Sequence, residues 1–206
     1  MHRLISVATG ELHWQIAPEY RELLLDHDGL RLDDWLQSGH ARIAKDGPHR
    51  TVYHVVLPEL DCYVKRNRVH DTRAYLRQLD RPAKARIEFD HALLIAGRGI
   101  DTITPLAVGE ARSANGDSFL VTRGLRDTTP LGDFLEQQLP ALGAERQPRI
   151  RQRLTHELAR LLARMHEAGI RHDDLHPGNF LVRLDDNDDP SLFLIDLHAV
   201  KLGPRL

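Results

Sequence analysis

The chain has 206 residues, 41% of them hydrophobic and 28% charged, with a net charge of -2. That balance suits one folded domain or two small lobes, excludes a disordered chain, and lacks the basic excess of a general nucleic-acid grip. The single cysteine, Cys62, excludes an internal disulfide framework, and no apolar run approaches the roughly 18–20 residues of a membrane span.

Pro18 to Asp26 predicts a short helix opened by proline, and Leu30 to Leu36 predicts another. A strand near Ala41–Ala44 is followed by the turn Lys45-Asp46-Gly47-Pro48 and by Thr51 to Leu57, which is β-branched and aromatic. Pro58-Glu59-Leu60 turns the chain again into Cys62-Tyr63-Val64-Lys65. The first third therefore reads as two helices and an antiparallel meander. Ala83 to Ala96 predicts a helix stopped by Gly97-Arg98-Gly99. Two further strands, Thr104–Val108 and Ser118–Thr122, are joined through Asn115-Gly116, and Leu131–Leu139 predicts a short helix.

The strongest helix spans about Pro148 to Ala168. Its Ile150, Leu154, Leu158, Leu161, Leu162 and Met165 recur at spacings of three and four, and Gly169 caps it. A loop over 170–179 leads to the strand Phe180–Val182, the acidic turn Asp185–Asp189 and the strand Leu192–Ile195. A strand-rich portion, 1–124, thus precedes a helix-rich portion, 125–206, which predicts two lobes with a cleft between them.

The loop His172-Asp173-Asp174-Leu175-His176-Pro177-Gly178-Asn179 carries the chemistry. Asp174 sits between a helix end and a strand, where a carboxylate can face a hydroxyl and take its proton. Asn179 follows five residues on, and Asp196 ends the next apolar strand. Mg²⁺ is held by oxygen ligands from one or two carboxylates plus phosphates and water, so these residues suit a metal-bound nucleotide. Phosphoryl transfer requires mainly positioning and charge neutralisation, and this set can supply both.

The pattern His-x-Asp-x-x-x-x-Asn with Leu194-Ile195-Asp196-Leu197-His198 resembles the protein-kinase-like superfamily, and its wording resembles the lipopolysaccharide core kinases of the Kdo/WaaP family. Tyr63-Val64-Lys65-Arg66 resembles that superfamily's nucleotide-binding strand, and Ala85-Arg86-Ile87-Glu88 the helix after it; the likeness covers roughly residues 15 to 203. It implies an α+β, two-lobed protein-kinase-like fold: an N-terminal antiparallel sheet with one packed helix, and a C-terminal helical lobe truncated after the metal-binding strand. It implies an ATP- and Mg²⁺-dependent kinase acting on an inner-core sugar hydroxyl, with Asp174 as base and Asn179 and Asp196 on Mg²⁺. Lys65 would hold the nucleotide phosphates and pair with Glu88, Gly47 would lie over them, and His172 would brace the loop. Thr122 to Leu125 would meet adenine through backbone groups. A glycolipid acceptor would place the protein in the cytoplasm, docked peripherally on the inner membrane.

Bland alternatives stand beside these. An atypical protein or small-molecule kinase shares the motif, as does a non-catalytic remnant that binds nucleotide or a partner. His172 and His176 are four apart, but Pro177-Gly178 removes the helix that a zinc pair would need. Asp185–Asp189 reads as a solvated hairpin turn rather than a calcium loop, and Arg146–Arg153 as a solvated helix face. The chain ends ten residues after Asp196. The long helix is therefore expected to leave an apolar side uncovered, available for self-association.

Overall fold

A computed structural model describes residues 4–68, 82–112 and 116–205; Asn115 of the anticipated Asn115-Gly116 turn lies outside them. The chain forms two compact units, Met1–Asp90 with Thr104–Gly124, and His91–Ile103 with Leu125–Leu206.

The first unit is built on a seven-stranded antiparallel sheet in the order β1-β2-β6-β7-β5-β4-β3. Its strands are β1 (Ile5–Thr9), β2 (Leu12–Ile16), β3 (Ala41–Asp46), β4 (Arg50–Val56), β5 (Asp61–Asn67), β6 (Pro105–Ala111) and β7 (Ser118–Arg123). The meander β3-β4-β5 lies where the β-branched runs predict it. The hairpin β1-β2 is an addition to the sequence expectation of helices first. Its signal is the alternation of Leu12, Trp14 and Ile16 after Gly10, whose φ of 54° serves the two-residue turn. Trp14 stands directly opposite Gly109, where a Cβ would come within 2.7 Å of the indole, so the ring excludes any side chain there.

One face of this sheet forms the core. Trp14, Ile16, Val55, Cys62, Val64 and Val121 pack with Leu24 of α1 (Arg21–Leu24) and with Leu32 and Trp35 of α2 (Leu32–Gln37). Burial pushes the Cys62 thiol up to about 12, which makes it an inert core group. The period of two then sends Asp61, Tyr63 and Lys65 to the opposite face. Helix α3 (Lys84–Gly97) buries Ala85, Glu88, Phe89, Ala92 and Ile95 along one stripe.

In the second unit a helical run, α4 (Leu131–Asp133), a π-turn (Phe134–Gln138) and α5 (Leu139–Ala141), precedes α6 (Arg146–Glu167). Strands β8 (Thr129–Pro130), β10 (Phe180–Leu184) and β11 (Pro190–Leu194) form one small sheet. A second pairs β9 (Ile170–His172) with β12 (Val200–Leu202), so this unit mixes short strands with its helices. Helix α6 packs on β9 and β11. Its Ile150, Leu154, Leu161 and Met165 are buried, and the exposed large apolar side chains among the described residues lie elsewhere. The uncovered apolar face expected of this helix is therefore absent, and with it the basis for self-association there.

The acidic turn and the arginines of α6 are largely exposed, as expected, but one residue of the turn, Asp188, is buried and draws the two together. Asp188 is 5% exposed and accepts hydrogen bonds from Arg146 and Arg149. Arg153 donates to the Asn187 carbonyl at 2.6 Å and pairs with Asp189 at 3.0 Å. Residues 146, 149 and 153 fall on one helix face, and that face clamps the β10–β11 turn. The Arg146 guanidinium, with Arg149 after it, holds the Asp188 carboxyl down to about 2.

Candidate active site

The residues anticipated to carry the chemistry fall into two groups, one in each unit. In the first, Lys65 on β5 and Glu88 on α3 form an ion pair, with side-chain exposures of 14% and 4%. Arg86 fixes the helix beside them by donating to Gln15 of β2 at 2.7 Å and to Glu110 of β6 at 2.9 Å. Both side chains are largely shielded from water, so removing either partner would leave an uncompensated charge at a cost of about 3–5 kcal/mol, and the pair holds the ammonium at one place on the sheet. Gly47 lies in the β3–β4 connection without a positive φ, its prospective Cβ at ordinary contact distance, 3.4 Å, from the Arg50 carbonyl. That connection is tied by Thr51 donating to Asp46 at 2.6 Å and Arg68 donating to Thr51 at 2.6 Å.

In the second unit the loop after α6 is built from the backbone outward. Gly169, at φ 67°, ends the helix and turns the chain into β9. Val200 lies opposite His172 across the β9–β12 ladder, and the Asp173 amide donates to the Ala199 carbonyl at 3.0 Å. His172 is 8% exposed. Its Nδ1 accepts from the Asp174 amide at 3.2 Å, which leaves Nε2 as the protonated nitrogen, 3.3 Å from the Asp196 carbonyl oxygen it faces. One neutral ring thus ties the two loops together, and burial lowers its pKa from the ordinary histidine value.

Asn179 completes the frame. It is 2% exposed, and its Nδ2 donates to the Asp174 carbonyl while its own carbonyl accepts from the Ile195 amide at 2.8 Å. The side-chain Oδ1 is left as an acceptor. The pairing of Phe180 with Leu194 makes β10 and β11 the anticipated hairpin and brings Asn179 beside Ile195, one residue before Asp196. Asp196 adopts a left-handed conformation, φ 63° and ψ 53°, which turns the chain sharply out of β11. Asp tolerates that region better than most residues, at a cost of about 1–2 kcal/mol. His198 Nδ1 lies 3.3 Å from an Asp196 carboxylate oxygen. The strand end itself is fixed by Thr102 donating to the Leu194 carbonyl at 2.6 Å and by the Leu194 amide donating to Asp101 at 2.9 Å.

The structure therefore brings together His172, Asp174, Asn179 and Asp196 on one hydrogen-bonded frame, and Lys65 with Glu88 on another. Among the described residues no group of three or more His, Cys, Asp or Glu is arranged to hold a metal ion. An amide oxygen and a carboxylate on adjoining strand ends do match what Mg²⁺ takes from a protein when phosphates and water fill its other positions. Sequence reasoning missed Arg171 and Lys201, which flank this loop; their meeting depends on β-register, for which the sequence holds no local signal.

The protonation of His172 sets a pH dependence. An unfolded chain binds a proton at this ring near the ordinary value of about 6.5, whereas the folded frame resists it. Stability from this group is complete above that value and falls as the pH drops below it, levelling once the folded ring also protonates. Wild type should therefore lose its melting-temperature advantage over His172→Gln as the pH is lowered from 7 toward 5, read by thermal denaturation in matched buffers. Parallel curves would show that the ring is not held neutral.

The sequence model of the lipopolysaccharide kinase (Kdo/WaaP) family matches residues 32–203. Lipopolysaccharide core heptose(I) kinase WaaP of Pseudomonas aeruginosa is 34% identical over 126 residues, covering 57% of this chain and 44% of that protein. The chain thus spans under half the length of that curated relative. The solved structure described as WaaP in complex with acyl carrier protein aligns at a TM-score of 0.60 and 22% identity, over 98% of this chain and 74% of its own. At that identity the likeness establishes a shared fold, the kinase-like α+β architecture.

Proposed function

This chain belongs to the lipopolysaccharide kinase (Kdo/WaaP) family, and from that membership we propose that it transfers the γ-phosphate of ATP to a hydroxyl of a lipopolysaccharide inner-core sugar. The observation that carries the reading is the frame in which His172 joins the Asp174 amide to the Asp196 carbonyl while Asn179 holds the Asp174 carbonyl. These bonds hold the backbones of Asp174 and Asp196 and the Asn179 side chain, and such a held loop supports the reading because phosphoryl transfer depends on positioning.

In this reading Asp174 accepts the proton of the attacking hydroxyl. Its side chain is 71% exposed, so an acceptor can reach it. The Asn179 Oδ1 and the Asp196 carboxylate would hold Mg²⁺, which when bound neutralises charge on the phosphates. Lys65, kept in place by Glu88, contributes a compact positive charge to the upstream phosphates, and Gly47 offers its backbone to them. His172 moves no proton, since both ring nitrogens are already engaged. No helix among the described residues is long and apolar enough to cross a membrane. A glycolipid acceptor would be met from the cytoplasmic face because ATP is available there.

The test is transfer of radiolabelled γ-phosphate from ATP to purified inner-core oligosaccharide, with and without Mg²⁺. Label on the sugar that disappears with chelator is the expected result. A thermal shift with Mg²⁺-ATP but no labelled sugar would reduce the protein to a nucleotide binder, and no shift at all would remove the nucleotide site.

A further inference from the structure

We propose that Arg171 and Lys201 form an anion site beside Asp174 that holds an acidic substituent of the acceptor. The inference rests on the phosphoryl-transfer reading of Asp174. Its own starting point is the register of β9 and β12, which sets Arg171 directly opposite Lys201. Ile170, His172 and Val200 of these strands are buried, so both cations project from the other, outward side of the ladder. Like charges directly opposite each other in an antiparallel pair are destabilising. A single carboxylate bridges them: Arg171 Nε donates to Asp173 Oδ1 at 2.9 Å, and Lys201 Nζ lies 2.5 Å from Asp173 Oδ2. Two positive charges share this one carboxylate, which belongs to the residue adjacent to Asp174.

Stability does not account for this arrangement. Arg171 and Lys201 are 68% and 63% exposed, and ion pairs that open to water contribute little to folding. The backbone of Asp173 is already held by the Ala199 carbonyl, so a second cation adds nothing to its placement. Electrostatics of the acceptor does account for it. Asp173, Asp174 and Asp196 put three carboxylates on two adjoining loops, a field that would repel an acidic sugar. Two exposed cations with spare donors weaken that field locally and can hold a carboxylate or phosphate through charge-assisted hydrogen bonds. A neutral acceptor would need neither.

The test measures phosphoryl-transfer kinetics with intact inner-core oligosaccharide, its carboxyl-methylated form and its phosphatase-treated form. Arg171→Gln and Lys201→Gln should each raise the acceptor KM about tenfold, more than they change kcat or the KM for ATP. Asp173→Asn should move the acceptor KM the other way, because it releases both cations to the ligand. A purely structural trio would be damaged alike by all three changes, so a KM that rises in all three overturns the inference. With wild type, the derivative that loses affinity names the anion, carboxylate or phosphate. Indifference to both derivatives, or unchanged acceptor KM in the Arg171 and Lys201 variants, overturns the site while leaving transfer in place. Absence of transfer by wild type to every acceptor would instead remove the underlying reading.

Discussion

Asp174→Asn should lower kcat for phosphoryl transfer by about 10²–10⁴-fold, the usual contribution of a positioned general base. The substitution keeps the shape of the side chain and removes its ability to take a proton. Nothing in the frame depends on the carboxylate itself. The Asp174 amide donates to His172 and the Asp174 carbonyl accepts from Asn179, and both are backbone groups. The melting temperature should therefore stay within about 2 °C of wild type, as for most exposed positions. Binding of Mg²⁺-ATP, read as a thermal shift, should persist, since the oxygens proposed to hold the metal belong to Asn179 and Asp196.

The neighbouring carboxylate supplies the control. Hydrogen bonding from Lys201, with Arg171 adding to it, lowers the Asp173 carboxyl from its ordinary value and makes it a weak base. Asp173→Asn should retain turnover within about tenfold of wild type, a change in binding rather than in proton transfer. If Asp174→Asn transferred phosphate at the wild-type rate, or if Asp173→Asn were the dead variant, the assignment of the base would be wrong.

Much of this arrangement was legible in the sequence because it is local. The spacing from His172 through Asp174 to Asn179 needs only a tight turn between a helix and a strand, and Pro177-Gly178 announces that turn. Asp196 could be added because an acidic turn between two apolar runs implies a hairpin. Glu88 could be anticipated only through resemblance, since an acidic residue within a helical pattern is ordinarily solvated; here it is 3% exposed and charge-paired. What escaped was register and long-range charge. Arg146, Arg149 and Arg153 carry the same helical period whether they face water or the Asp188 turn. Arg171 and Lys201 are thirty residues apart in sequence, and their opposition depends on where β12 begins its pairing. The β1–β2 hairpin was missed for a different reason: five-residue strands are short enough that Leu12, Trp14 and Ile16 alone do not separate a strand from a loop.

Gly169→Ala should be the most damaging small substitution near the loop. A left-handed residue with a Cβ costs about 1–2 kcal/mol, and the glycine sits at φ 67°. The added methyl would also come within 2.1 Å of the Pro204 carbonyl oxygen and 2.7 Å of the Gly203 oxygen. Those atoms are not free to retreat. The Gly203 amide donates to the Gly169 carbonyl at 2.7 Å, and Arg98 donates to the carbonyls of Ala168 at 2.6 Å and Gly203 at 2.9 Å. Strain and clash together should destabilise the protein by about 2–4 kcal/mol, which for a chain of this size lowers the melting temperature by about 5–12 °C. The damage should extend to function. Any shift of β12 moves Val200 and Lys201 against His172 and Arg171, and so displaces the loop that carries Asp174. At a temperature where the variant remains folded, phosphoryl transfer should fall while Mg²⁺-ATP still produces a thermal shift. Gly132→Ala is the matched comparison, because its Cβ would meet nothing within 4 Å and its φ is negative. That variant should melt with wild type. Were Gly169→Ala to do the same, the packing of the chain after β12 against the end of α6 would not be what holds the loop in place.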